Sequence, residues 1–371
     1  MRASPFFFVS LLIAVVPAYA GGAPERPVKA VTEEGTIAGA DFRIDIPEGW
    51  NGGLVMYAHG YARVDQAVPF IMEMVKVTSS LGYAIAQSKY SHQGWAVREG
   101  ILDTEALRRY FVDKYGPAYP TIIAGHSQGG LITYGTIERF PEAYDGALPM
   151  CGVGSSGLEI LKDRAFDMRA LFDYFFPGLS GSAVEFPDGP DTFVKTGAKA
   201  AALVQANSEA AKEFARMQTL SSPAAIAPVV ALCTEILHEL KERTGGNAFD
   251  NRDTIYSGSS DDAKLNKEIK RYAADAKSVE YLTQWVSFTG EIRDPVLALH
   301  TLVDDLIPPR YANLYDAKTL LAGTHDLYAM SWTNGANHCA FTIEEMTEAL
   351  RQLTEWIKTG KRPVTGDWSK K

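Results

Sequence analysis

The sequence predicts an α/β protein: a mostly parallel sheet covered by helices on both faces and interrupted by a helical insertion. Three observations predict it. Near-continuous apolar runs alternate with helix-periodic segments up to residue 152 and again from residue 291. Between those limits the alternation stops and several helical patterns follow one another. Around residues 119–140 an apolar run, a glycine-flanked turn and an amphipathic segment succeed each other directly.

At the N-terminus, Arg2 precedes an apolar run from Phe6 to Val16, then Pro17 and Ala18-Tyr19-Ala20. This is the build of a secretory signal peptide cleaved after Ala20, with an apolar stretch too short to span a bilayer comfortably. Residues 1–20 are therefore expected to be removed, leaving a secreted or periplasmic protein with no membrane anchor. Gly21, not a cysteine, directly follows the cleavage point, which argues against lipid attachment. The chain carries 36 basic and 45 acidic residues, a formal charge of −9 that becomes −10 when Arg2 is lost. An acidic surface without a basic run excludes a nucleic-acid partner. Cys151, Cys233 and Cys339 give one disulfide and one free thiol as the simplest arithmetic, with the pairing open. No C-x-x-C or H-x-x-x-H spacing supports a structural metal site.

Taken in order, 28–36 and 42–46 read as short strands, the second with Phe42, Ile44 and Ile46 alternating. Leu54 to Ala58 is a continuous apolar strand running into His59-Gly60-Tyr61. A helix is expected over 68–81, a strand over 82–86 and a helix over 101–115. Next, Thr121-Ile122-Ile123-Ala124 leads through Gly125-His126-Ser127-Gln128-Gly129 into Leu131, Ile132, Tyr134 and Ile137 at helical spacing, stopped at Pro141. Glycines two residues either side of Ser127 let strand and helix approach closely and lift the hydroxyl clear of the sheet. A strand over 144–150 closes this half. Helices are expected over 158–176, 195–217, 224–243 and 262–284, then a strand over 295–300, a helix over 310–321, a strand over 327–331 and a closing amphipathic helix over 342–357.

A serine hydroxyl is a poor nucleophile and needs a base, itself held by a third group. Asp304 and Asp305 follow the 295–300 strand, and His338 follows the last one, so the chain order is nucleophile, acid, histidine. The other histidines fit less well. His59 directly follows the 54–58 strand and His126 adjoins Ser127, neither in the right chain order; His300 lies within a strand, and His92, His238 and His325 read as structural.

With these residues in hand, the sequence resembles the α/β-hydrolase superfamily, specifically its secreted serine esterases and related peptidases. The resemblance covers 50–152 and 291–371: GHSQGG matches the nucleophile elbow, HGY the oxyanion loop and VDDLIPP the acid loop. It implies a hydrolase core over 21–152 and 291–371 with a helical cap over 153–290. It also implies Ser127, Asp304 and His338 as a triad, with a one-residue loop shift exchanging Asp304 for Asp305. The backbone amides of Tyr61 and Gln128 would form the oxyanion hole, and the Tyr61 side chain would wall the acyl pocket. Tannase and feruloyl-esterase types pair a cysteine before the serine with one after the histidine; here only His338-Cys339 is present, and Cys151 is one candidate partner for Cys339. In the cap, Phe172 and Phe175 are candidate substrate contacts, with cap core as the competing reading at their helical spacing. The expected activity is cleavage of a small-molecule or oligomeric carboxylic ester through an acyl-enzyme, with a short-peptide serine peptidase as the alternative; no cofactor is required. For a peptidase, a cap acid such as Glu159, Asp163 or Asp173 would have to hold the substrate amine.

Overall fold

A computed structural model describes residues 29–154, 157–187 and 192–368; the expected signal segment lies outside them. Nine strands form one sheet: β1 (Val31–Ile37), β2 (Ala40–Ile46), β3 (Leu54–Ala58), β4 (Ala84–Ser88), β5 (Thr121–His126), β6 (Gly146–Met150), β7 (Val296–Val303), β8 (Tyr328–Ala336) and β9 (Gly366–Asp367). Their spatial order is β1-β2-β4-β3-β5-β6-β7-β8-β9. The pairs β1–β2 and β2–β4 are antiparallel, and every pairing from β4 to β9 is parallel.

The central strands are apolar throughout because both of their faces are covered. On one face Val55, Ile85, Ile122, Leu148 and Leu297 meet α1 (Met72–Ser80) and α12 (Ile343–Thr359) through Met74, Val77, Leu350 and Leu353. On the other, Met56, Ala86 and Ile123 meet α2 (Val97–Tyr115) and α3 (Gln128–Arg139) through Ile101, Leu107, Leu131 and Ile132. Thr342 starts α12 with a reciprocal capping box to Glu345.

Between β6 and β7 the chain is helical: α4 (Gly157–Ile160), a π-helical stretch Leu161–Asp167, α5 (Met168–Phe175), α6 (Thr192–Ala206), α7 (Ser208–Met217), α8 (Ile226–Thr244), α9 (Asp262–Glu268) and α10 (Ala276–Val286). Helix α11 (Pro309–Ala322) then follows β7. Two expected helices are in fact broken. The run over 195–217 divides at Asn207, whose side chain accepts from the Ala210 amide and caps α7. The run over 262–284 divides at 269–275, where Asn251 accepts from the Tyr272 amide and Arg271 donates to the carbonyls of Asn251 and Thr254. Strand β8 runs five residues past its expected end, since Trp332 and Thr333 still pair with His300 and Thr301. The two-residue β9 has no apolar pattern to announce it.

The parallel strands end along one edge, and there the elbow helix presses onto its neighbours. A Cβ on Gly129 would sit 2.0 Å from the Ala58 carbonyl oxygen, and one on Gly130 would sit 2.6 Å from the Gly152 Cα. Gly197, in the middle of α6, would meet only the Ala231 Cβ at 3.6 Å. We therefore expect opposite outcomes from two formally identical changes, read by chemical denaturation. Gly129→Ala should cost about 3 kcal/mol or more, whereas Gly197→Ala should gain roughly 0.5–1 kcal/mol from helix propensity.

Candidate active site

Ser127 occupies the turn between β5 and α3 with φ 57° and ψ −119°, a conformation that disfavours any side chain. Such a residue costs on the order of 1–3 kcal/mol and persists only where its surroundings over-determine it. Here the Ser127 amide donates to the Met150 carbonyl at 3.0 Å, and Gly60 packs against the turn from the β3 side.

The Oγ of Ser127 lies 2.7 Å from His338 Nε2, and His338 Nδ1 lies 2.7 Å from Asp304 Oδ2. With Nδ1–H donated to the carboxylate, Nε2 is the lone-pair nitrogen facing the serine. Asp304 follows the last residue of β7, its side chain fully buried. Burial pushes this carboxyl up, but bonds from His338 and the Ile307 amide outweigh it and hold the group below its ordinary range. Its Oδ1 accepts from the amides of Leu306 and Ile307 at 2.9 and 2.8 Å. Asp305, one residue on, turns the other way and accepts from the Ser221 amide and hydroxyl.

His338 sits between two residues of positive φ, Asn337 at 100° and Cys339 at 57°. Two tethers fix this loop. The Asn337 amide donates to the Val303 carbonyl at 2.9 Å, and Cys339 is disulfide-bonded to Cys151 at the end of β6, with Cα atoms 5.2 Å apart. Cys233 is free and buried, and burial pushes its thiol up to about 12, so it is an inert neutral group. Cys151, His338 and Cys339 are the sole grouping of potential metal ligands among the described residues. The disulfide removes both thiolates from it.

Gln128 is the first residue of α3, so its amide has no acceptor within the helix. Among the described residues, neither the Gln128 nor the Tyr61 amide donates to a backbone acceptor. Both border the space above Ser127, as donors for an oxyanion should. The remaining histidines take other parts. His59 stacks on Tyr90 with centroids 4.0 Å apart, and His126 shares its Nδ1 with the Tyr57 hydroxyl at 3.0 Å. Burial, helped by the nearby His338, pulls His126 down to about 4 and keeps it neutral. His300 is buried with Nε2 3.9 Å from Asp304 Oδ2.

Two expected contacts are absent. Phe172 and Phe175 line neither cavity at Ser127; they pack with Phe176 and Phe214 inside the inserted helices. The aromatic spacing served the core of the insertion. Instead the space above Ser127 is walled by Ile160, Leu161, Ala165 and Ile236, together with Trp95 and the aliphatic acid loop. The three candidate amine-binding acids are also engaged elsewhere: Glu159 with Lys318, Asp163 with Tyr311 and Arg310, and Asp173 with Arg169.

Sequence reasoning missed two residues that join the insertion to the site. Arg164, in the π-helical stretch, is buried and has no carboxylate partner among the described residues. It donates to the carbonyls of Leu306, Gln218 and Asp305, pinning the acid loop from above. Burial pulls its guanidinium down to about 10, which leaves it charged at neutral pH. Glu239 of α8 accepts from the Tyr61 hydroxyl at 2.8 Å and the Trp95 amide at 2.9 Å, clasping the loop after β3. It stands in a charged run that reads as a solvated face, so no sequence signal marks it.

Strand order, an elbow after β5, an acid after β7 and a histidine after β8 define the α/β-hydrolase fold. No family model matches the sequence, and no curated protein does. Among solved structures, a puromycin-hydrolysing peptidase from Mycobacterium tuberculosis is similar at 13% identity and a TM-score of 0.49, over 91% of this chain and 41% of that one. An esterase from Pyrococcus furiosus is similar at 13% identity and a TM-score of 0.48, over 90% of this chain and 97% of that one. The acylaminoacyl peptidase of Pyrococcus horikoshii gives 11% identity and a TM-score of 0.46, over 89% of this chain and 41% of that one. The chain thus spans about 41% of the length of these two peptidases.

Burial, reinforced by Glu235, raises the Glu239 carboxyl to about 7 against the bonds from Tyr61 and Trp95. A carboxyl raised on folding contributes stability that is fully present below its unfolded value and is lost as pH rises through the folded one. Stability should therefore fall from about pH 4.5 to about pH 7 by roughly 2 kcal/mol more in the wild type than in Glu239→Gln. Denaturant midpoints across that window check it, and parallel slopes for the two proteins would contradict it.

Proposed function

We propose that the chain is a serine hydrolase that cleaves carboxylic esters through an acyl-enzyme on Ser127. The observation that carries the reading is the unbroken relay from Ser127 Oγ through His338 to buried Asp304, with both links at 2.7 Å. The amides of Tyr61 and Gln128 beside it, with no backbone acceptor among the described residues, add support. As the serine oxygen attacks the ester carbonyl, His338 Nε2 takes its proton, and the two amides receive the oxyanion. Collapse breaks the bond to the alcohol oxygen, which receives that proton from His338. Water then enters and attacks the acyl carbon as His338 takes its proton; collapse breaks the bond to Ser127 Oγ, which receives that proton from His338, and the acid leaves. Asp304 keeps the imidazolium oriented and paired throughout.

An ester is favoured over a peptide because Glu159, Asp163 and Asp173 are already paired with cations of the chain. The substrate is a small or oligomeric ester. Export to an oxidising compartment through cleavage after Ala20 fits a disulfide placed beside His338.

A fluorophosphonate probe should label the wild type and not Ser127→Ala. p-Nitrophenyl esters should turn over far faster than aminoacyl anilides; the reverse ranking would favour a peptidase, and an unlabelled wild type would end the serine-hydrolase reading. With an ester substrate, Asp304→Asn should lower kcat about ten-thousand-fold, whereas Asp305→Asn should stay within roughly threefold of the wild type. The opposite pattern would move the acid to Asp305.

A further inference from the structure

Ser127 stands at the waist between two cavities of different character. One is a recess of about 70 Å³ beneath the inserted helices; the other is a groove of about 490 Å³ along the sheet edge. Tyr61, Ser127, Leu232 and Leu306 border both. These four are also the only partly exposed residues around the recess; among the described residues, all others that line it are buried. The recess is therefore a blind pocket entered past the nucleophile. Its walls are Ile160, Leu161, Ala165, Cys233 and Ile236, and the Arg164 guanidinium on its boundary is committed to three backbone carbonyls.

The two groups that distinguish the halves of an ester divide between the cavities. His338 borders only the groove, and Gln128 borders only the recess. When the tetrahedral intermediate collapses, the proton on His338 Nε2 must reach the departing alcohol oxygen, so the alcohol has to lie on the His338 side. The acyl chain stays bonded to the carbon whose oxygen faces the Gln128 amide, and it is left the blind pocket.

Resting on the ester-hydrolase reading, we infer that the recess is the acyl pocket and the groove the alcohol site, making the enzyme selective for short apolar acyl groups on large alcohols. At roughly 25 Å³ for each heavy atom, the ratio at which a cavity of about 150 Å³ holds benzene, a pocket of about 70 Å³ takes about three, the part of a butyryl group beyond its carbonyl. Longer chains meet buried side chains on every wall. The groove carries Tyr57, His126, Phe341 and Met346, with Glu73 at its side, and offers aromatic faces to a bulky or aryl alcohol.

Two ester series separate the cavities. With p-nitrophenol as the constant leaving group and acyl chains from acetyl to dodecanoyl, kcat/KM should peak near butyryl. It should then fall about a hundredfold by decanoyl, since a mis-sized methylene in an apolar pocket discriminates by roughly 10–200-fold. Butyrates of alcohols from methyl to 2-naphthyl should show no such cutoff. Ala165→Phe, filling the recess, should move the acyl optimum to acetyl and slow deacylation of a preformed butyryl-enzyme. Ile236→Ala should move the optimum to longer chains, so a folding failure of either variant leaves the other as the test. Phe341→Ala should reorder the alcohol series. Dodecanoyl turnover close to that of butyryl, or recess variants that reorder alcohols while leaving the acyl optimum in place, would overturn the assignment. Failure of all esters together with no probe labelling of Ser127 would instead strike down the acyl-transfer reading beneath it.

Discussion

The site depends on how closely α3 is allowed to approach the sheet. At Gly129 the helix backbone touches the end of β3, and at Gly130 it touches the chain leaving β6. With no Cβ in the way, α3 begins directly over the strand ends, and the residue before it has nowhere to go except a positive-φ turn. The hydroxyl of Ser127 is thereby fixed by main-chain contacts and not by its own rotamer preferences. The loop after β3 gains its place from the same contact, since Gly60 lies against Ser127 and the carbonyl of His126. Other parts of the relay need only arrive at a point already defined.

How much was legible in the sequence follows from this. The meeting of Ser127, Asp304 and His338 could be anticipated because each lies just beyond a strand, and strand ends of a parallel sheet converge on one edge. The choice between Asp304 and Asp305 rested on a motif. Its physical basis is a loop in which one carboxylate turns inward to two amides while its neighbour turns outward to Ser221. The break at Asn207 was hidden by an alanine-rich run whose helix propensity is high on both sides. Phe172 and Phe175 show a different limit: helical spacing says that a face is apolar but not which neighbour will cover it. Here Phe214 covers it.

Pairings between the insertion and the core were the least legible. Arg164 joins the π-helical stretch to the loop after β7, Asp305 joins that loop to Ser221, and Glu239 joins α8 to the loop after β3. Each contact spans 80 or more residues of sequence, and each uses a charged side chain that composition alone assigns to solvent. Together they mean that the inserted helices hold two of the loops around Ser127 as well as roofing it. A change in these helices is therefore expected to be felt in the geometry of the loops after β3 and β7, not only in the shape of the cavity.

The bond between Cys151 and Cys339 has a topological consequence. It closes a ring of 188 residues' separation that contains the whole insertion, the acid loop and the histidine strand. A single backbone cut anywhere inside that ring leaves the segment bearing Ser127 and the segment bearing His338 in one covalent molecule. The helices between β6 and β7 all lie inside the ring, so a nick in any of them leaves Ser127 and His338 covalently joined.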